Sequence, residues 1–161
     1  MTVKEYNQCV DDYSDGLYRF ALKTLGNPDT ANDVVQDAFE RLWVKRESVS
    51  YARIKAYLFT TAYHASVDIL RREKRWTSID CNPVTAVSSA NQYNDLQEVL
   101  HAAIEQLPPV QRSVILLRDY EGYSYEEIEQ ITGLNESQVK VYIYRGRVWL
   151  KRYIGSVESV L

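Results

Sequence analysis

Apolar positions along this chain recur every three to four residues, the period of an amphipathic helix, and nowhere alternate as a half-buried strand would. Tyr13, Leu17, Phe20, Ala21 and Leu25 define the inner face of a helix predicted over residues 2–25. Gly26-Asn27-Pro28 then reads as a stop followed by a start. Glycine suits the left-handed position after a helix, asparagine caps, and proline opens the next helix. That second helix is predicted to run to about Arg46, with Val35, Ala38, Phe39 and Leu42 inward. Residues 47–52 form a polar loop. A third helix, from about Arg53 to Arg75, carries Tyr57, Leu58, Thr61, Ala62, Ala65 and Ile69 on one side.

After Trp76 the period is lost. Residues 77–92 are small and polar, contain Pro83, and are predicted to be a flexible interdomain linker, so that the flanking bundles move independently. The helical pattern resumes over 93–106, and again from Pro108-Pro109 to about Tyr120. Gly122 breaks the chain. Ser124 and Glu127 form a capping box for a short helix to Ile131, and Asn135 and Gln138 do the same for a last helix to about Tyr153. The expected fold is all-α: two small helical bundles, residues 1–76 and 93–161, joined by a flexible linker.

A short helix, a turn containing Gly133 and a longer basic helix make the layout of a helix-turn-helix. On the last helix Val139, Tyr142, Ile143, Gly146, Leu150 and Tyr153 follow the inward period. Gly146 costs about 1 kcal/mol relative to alanine, which a close neighbouring helix would explain. The opposite face carries Ser137, Lys140, Val141, Tyr144 and Arg145, at the N-terminal turns that reach base edges in such motifs. Arg147, Lys151 and Arg152 lie where phosphates would be held.

Charge sharpens this picture only through its distribution. The 161 residues carry a formal net charge of −3, which by itself argues against nucleic acid. The basic residues, however, gather at two places: Arg71, Arg72, Lys74 and Arg75, and then Lys140, Arg145, Arg147, Lys151 and Arg152, where no acid falls between Ser137 and Val157. Two basic faces on an acidic chain suggest two DNA contacts, with the acidic remainder limiting non-specific binding. No apolar run approaches the roughly 20 residues that span a bilayer, and the N-terminus lacks a signal-peptide core, so a cytoplasmic protein is expected. Cys9 and Cys81 fit no metal-ligand spacing and read as free thiols.

The segment Leu107-Pro108-Pro109, Gln111 to Arg118, Glu121 to Ile128, Gly133, Val139-Lys140 and Arg145 resembles the promoter-reading domain of extracytoplasmic-function sigma factors. The resemblance implies recognition of the duplex −35 element. Val141 stands where a small hydroxyl is usual in the family, Tyr142 where an arginine is, and Gly146 where an alanine is. Residues 6–76 resemble the family's first conserved domain. Asp33 to Trp43 is similar to the helix that docks on core RNA polymerase, which implies contacts from Asp33, Gln36, Asp37, Glu40 and Trp43. Phe39 and Leu42 are better read as core.

Ile54 to Phe59, Ala62, Asp68 and Leu70 to Arg75 are similar to the family's helix for the −10 element. Opening a duplex requires a platform for unstacked bases and a cationic grip on the strand. Ser50, Tyr51, Lys55, Tyr57, Tyr63, His64, Arg71, Arg72 and Arg75 are the candidates, His64 standing where the family usually has asparagine. The resemblance implies a monomeric transcription initiation factor that is not an enzyme and needs no cofactor or metal. Its partners would be core polymerase, promoter DNA and an anti-sigma factor, often membrane-anchored in the family. His64 and Asp68, four residues apart, read as a structural pair because no third ligand is near. A stand-alone repressor would need a sensing domain, normally with strands, and a nuclease or recombinase would need a metal cluster, phosphate loop or activated nucleophile; the sequence offers neither.

Overall fold

A computed structural model of the chain describes residues 1–80 and 96–160, with side chains for 1–73 and 96–155. Among the described residues all regular structure is helical. Helix α1 (Val3–Leu25) begins at a reciprocal capping box between Thr2 and Glu5. It ends at Gly26, whose φ of 74° places it in the left-handed region and whose N–H donates to the Leu22 carbonyl. The Asn27 side chain then accepts from the N–H groups of Asp29 and Thr30, and Pro28 opens α2 (Pro28–Val44). A 3₁₀ turn, Tyr51–Arg53, leads into α3 (Ile54–Asp80). The helix thus continues four residues into the stretch expected to be linker; the rest of that stretch, 81–92, lies outside the described residues.

The second half comprises α4 (Leu96–Glu105), α5 (Pro109–Ile115), α6 (Tyr125–Thr132) and α7 (Glu136–Val160). Two features depart from expectation. Helix α7 runs seven residues past Tyr153. The helix after Pro109 does not stay α-helical to Tyr120; Leu116–Tyr120 is a π-helical turn, in which the Glu121 N–H donates to the Leu116 carbonyl five residues back. The extra residue in the turn rotates the downstream chain, and Tyr123 closes the segment by donating its N–H to Leu117.

Helices α1, α2 and α3 pack around Leu17, Phe20, Leu42, Ile54 and Leu58, with Ala21, Ala31, Ala38 and Ala62 allowing close approach. The second half closes around Ile104, Val114, Ile115, Leu116, Ile128, Val139 and Ile143. These cores are continuous with each other. Helix α3 lies against α6, and α1 against α4 and the π turn. The structure therefore holds together the two halves that the sequence pattern suggested would move independently. Helical periodicity shows that core residues are inward but cannot assign them to a partner in the other half.

Candidate nucleic-acid and protein interfaces

The helix-turn-helix is fixed by its caps. The Glu127 N–H donates to Ser124 Oγ at 3.1 Å, and the Ser124 N–H to Glu127 Oε1 at 3.2 Å. Gly133, at φ 77°, ends α6 in the left-handed conformation. The Gln138 N–H donates to Asn135 Oδ1 at 2.8 Å and the Asn135 N–H to Gln138 Oε1 at 3.0 Å, a second capping box that opens α7. Thr132 braces the turn, donating its hydroxyl to Ile128 and accepting from the Leu134 N–H.

With its start set, α7 divides by face. Val139, Ile143, Gly146 and Leu150 are buried. A Cβ at Gly146 would lie 2.8 Å from Ile115 Cγ1, so the close approach expected at this glycine is real. Ser137, Lys140, Val141, Tyr144 and Arg145 are all exposed, Tyr144 by 70 % and Val141 by 42 %. Lys140 Nζ lies 2.6 Å from Glu136, an exposed pair that holds the Glu136 carboxyl below its ordinary value and the Lys140 ammonium above it. Arg147, expected on phosphates, makes a bidentate contact with Asp119 at 2.5 and 3.2 Å. Arg145 and Lys151 are exposed and make no ion pair with described residues.

Four of the −10 candidates, Ser50, Tyr51, Lys55 and Tyr57, lie at or just before the start of α3, and the others are spread along it. Ser48, Val49, Ser50, Arg53, Ala56, Tyr57 and Thr60 line a groove of 760 Å³, completed by Gln130 from α6. Tyr51 is 58 % exposed. Lys55 is half-buried, His64, Arg71 and Arg72 are exposed, and the Arg75 side chain lies outside the described residues. Tyr63 is a correction. Its ring is buried, 5 % exposed, and its phenol is pushed up by burial, so neither ring face is free to stack on a base. Among the described residues no group of three or more His, Cys, Asp or Glu could hold a metal.

On α2, Asp33, Gln36 and Glu40 are exposed, and Asp37 is half-buried in an ion pair with Arg41 at 3.0 Å. Phe39 and Leu42 are core, as their period implied. Trp43 is half-buried. The Tyr6 ring meets it edge-on at 4.9 Å, and the Arg46 guanidinium lies 4.1 Å from its ring. One residue went unnoticed in the sequence. Val44 is 78 % exposed and lines a groove with Asp37, Glu40, Arg41, Lys45 and Tyr57. An apolar residue off the inward period of α2 was the available signal.

Also missed were the residues that join the halves. Arg19 grips Glu121 in a bidentate pair at 2.6 and 2.8 Å. Phe59 and Tyr123 pack edge to face at 5.2 Å, and burial pushes the Tyr123 phenol far up. Arg112, 8 % exposed, donates to the carbonyls of Thr24, Glu105 and Leu107, tying the C-terminal end of α1 to that of α4. Partners separated by up to 102 positions leave no local pattern.

Comparison with known proteins gives a consistent set of relatives. Sigma-70 region 2 matches residues 9–76, and Sigma-70, region 4 matches residues 97–150. The RNA polymerase sigma factor SigV of Bacillus subtilis (strain 168) is 30 % identical over 138 residues, which cover 85 % of this chain and 83 % of that protein. The ECF RNA polymerase sigma factor SigM of the same organism is 28 % identical over 156 residues, 94 % of each chain. The sigma factor RpoE of Bartonella quintana, solved in complex with the anti-sigma factor NepR, superposes with a TM-score of 0.75 at 30 % identity, covering 95 % of this chain and 98 % of that one. The chain belongs to the extracytoplasmic-function sigma factors of the sigma-70 family, the initiation factors that direct RNA polymerase to promoters.

Proposed function

We propose a division of labour along the chain. Residues 1–76 dock on core polymerase and handle the −10 element, 77–92 connect, and 93–161 read the −35 element. The observation that carries this reading is the face of α7 that the fold leaves open, with Ser137, Lys140, Val141, Tyr144 and Arg145 exposed behind two rigidly capped helices. Arg145 suits bidentate contact with guanine, and Lys151 suits phosphate. On the first half, Ser50 and Tyr57 line the groove for the melted strand, with Tyr51 and Lys55 close in sequence and His64, Arg71 and Arg72 farther along α3. Asp33, Gln36, Asp37, Glu40 and Trp43 of α2, with Val44, form the docking surface for core polymerase.

The free protein works in the cytoplasm as a monomer, held by an anti-sigma factor until needed. The structural relative solved with such a factor supports that partner. Competition for core polymerase tests the reading. The full chain should displace a labelled sigma factor from purified core enzyme, and Asp37→Arg should compete poorly. Tight binding to a duplex operator with no affinity for core polymerase would identify a stand-alone regulator instead.

A further inference from the structure

We propose that Val141 and Tyr144 form an apolar reader on α7 that takes the 5-methyl group of a thymine in the major groove, and so specify one base pair of the upstream element by van der Waals contact. The assignment rests on the reading of α7 as the −35 helix and names the chemistry that part of its face recognises.

Ser137, Val141, Tyr144 and Arg145 stand at i, i+4, i+7 and i+8 along α7 and share one stripe of its surface. All four are exposed. Gly133 and the capping box between Asn135 and Gln138 fix where this helix starts after α6, so the stripe is presented by a well-defined element. Two of its four members are apolar in body, Val141 at 42 % exposure and Tyr144 at 70 %. A lone exposed valine is ordinary on a protein surface. Here the valine and a tyrosine ring are neighbours one helical turn apart, within the turns that enter the groove in this motif.

Base edges in the major groove offer nitrogen and oxygen acceptors, amino donors and one apolar group, the thymine methyl. A valine side chain neither donates nor accepts a hydrogen bond. Against a polar edge, Val141 would remove water from a hydrogen-bonding group without replacing it. Against the methyl, it buries apolar surface on both sides. The Tyr144 ring, one turn on, adds a large rigid apolar wall. The neighbouring lysine does not cover the patch. Lys140 Nζ lies 2.6 Å from the Glu136 carboxylate in the preceding turn and 5.9 Å from the centre of the Tyr125 ring of α6.

The same stripe sets the register on DNA. Four residues of helix, from Val141 to Arg145, rise about 6 Å. Base pairs stack at about 3.4 Å. The thymine should therefore lie about two base pairs from the pair whose recognition depends on Arg145.

The test uses the full chain bound to core polymerase and the duplex most active in transcription from a promoter library. Each thymine of the upstream element, on either strand, is replaced singly by deoxyuridine, which removes the methyl and keeps every hydrogen-bonding group. The readout is the ratio of affinities for the thymine and uracil duplexes, measured by equilibrium competition at one salt concentration. Wild type should favour thymine about fourfold at one position, the weight of one buried methyl, about two base pairs from the position that Arg145→Ala relaxes. Val141→Ser should bring that ratio to about one, and Tyr144→Ser should lower it. Tyr144→Phe should keep it, because the ring and not the hydroxyl makes the contact. Each ratio is internal to one preparation, so a partly active variant does not distort it. A wild-type ratio near one at every thymine overturns the proposal. A ratio that persists in Val141→Ser or in Tyr144→Ser also overturns it, since the preference then belongs to the stiffness of the duplex. Loss of the ratio in Tyr144→Phe overturns it in favour of a hydrogen bond. A polymerase complex that ignores the upstream sequence altogether removes the −35 reading and the proposal with it. One whose upstream preference responds to Arg145→Ala but not to the methyls removes the proposal alone.

Discussion

Gly146 illustrates how one residue can carry a packing constraint and a helical cost together. Its missing Cβ admits Ile115, whose Cγ1 would otherwise stand 2.8 Å away, and Ile115 is 1 % exposed with no room to withdraw. Gly146→Ala would gain about 1 kcal/mol of helix propensity and lose about 1–3 kcal/mol to overpacking. The loss should win, and thermal melting of the variant should show a lower midpoint than wild type. Arg145 and Lys151 present the opposite case, exposed side chains with no packing duty. Arg145→Ala should cost about 1–3 kcal/mol on the preferred upstream element and change base preference there. Lys151→Ala should weaken binding on every sequence alike and reduce the salt dependence. Affinities measured over a set of mismatched duplexes at two salt concentrations separate the two; equal losses on all sequences would end the distinction between reader and clamp.

Elements were legible where their ends are written locally. Gly26-Asn27-Pro28, Ser124 with Glu127, and Asn135 with Gln138 each set a boundary through contacts within four residues, and each boundary falls where the pattern predicts. Asn135→Ala should therefore destabilise the fold by about 1 kcal/mol, read as a fall in urea midpoint with an unchanged slope. The π turn at Leu116–Tyr120 was not legible. Glu121 and Tyr123, just after it, contact Arg19 and Phe59 of the first half, contacts that no neighbouring residue records. Tyr63 escapes the pattern for a related reason, since tyrosine suits both core and rim, and only packing decides. On α2, Val44 gives a cleaner test of docking than Trp43, which also packs on Tyr6. Val44→Asp should leave melting within about 0.5 kcal/mol of wild type. It should weaken binding to core polymerase in the competition assay; an unchanged competition curve would remove Val44 from that surface.

At the scale of the molecule, charge and packing make sense together. A net charge of −3 is compatible with a local DNA contact because no acid falls between Ser137 and Val157, where Lys140, Arg145 and Lys151 are exposed. Arg112 is a buried joining residue, and its role is geometric, since its forked guanidinium reaches three carbonyls on two helix ends. Arg112→Lys keeps the charge but cannot satisfy all three, and should cost about 1–3 kcal/mol in equilibrium unfolding. The two halves themselves were visible in the helical pattern on either side of residues 77–92, and α7 in its basic outer face. Their mutual packing was not, because it depends on pairs about 70 to 100 positions apart. The central claim is that this chain makes core polymerase start at promoters of one kind. Transcription in vitro from a promoter library, with purified core enzyme and this protein as its only initiation factor, measures that directly. Transcripts should arise from templates sharing one upstream and one downstream element, and Arg145→Ala should alter the upstream element alone. Transcripts that are absent, or that arise without regard to template sequence, would contradict it.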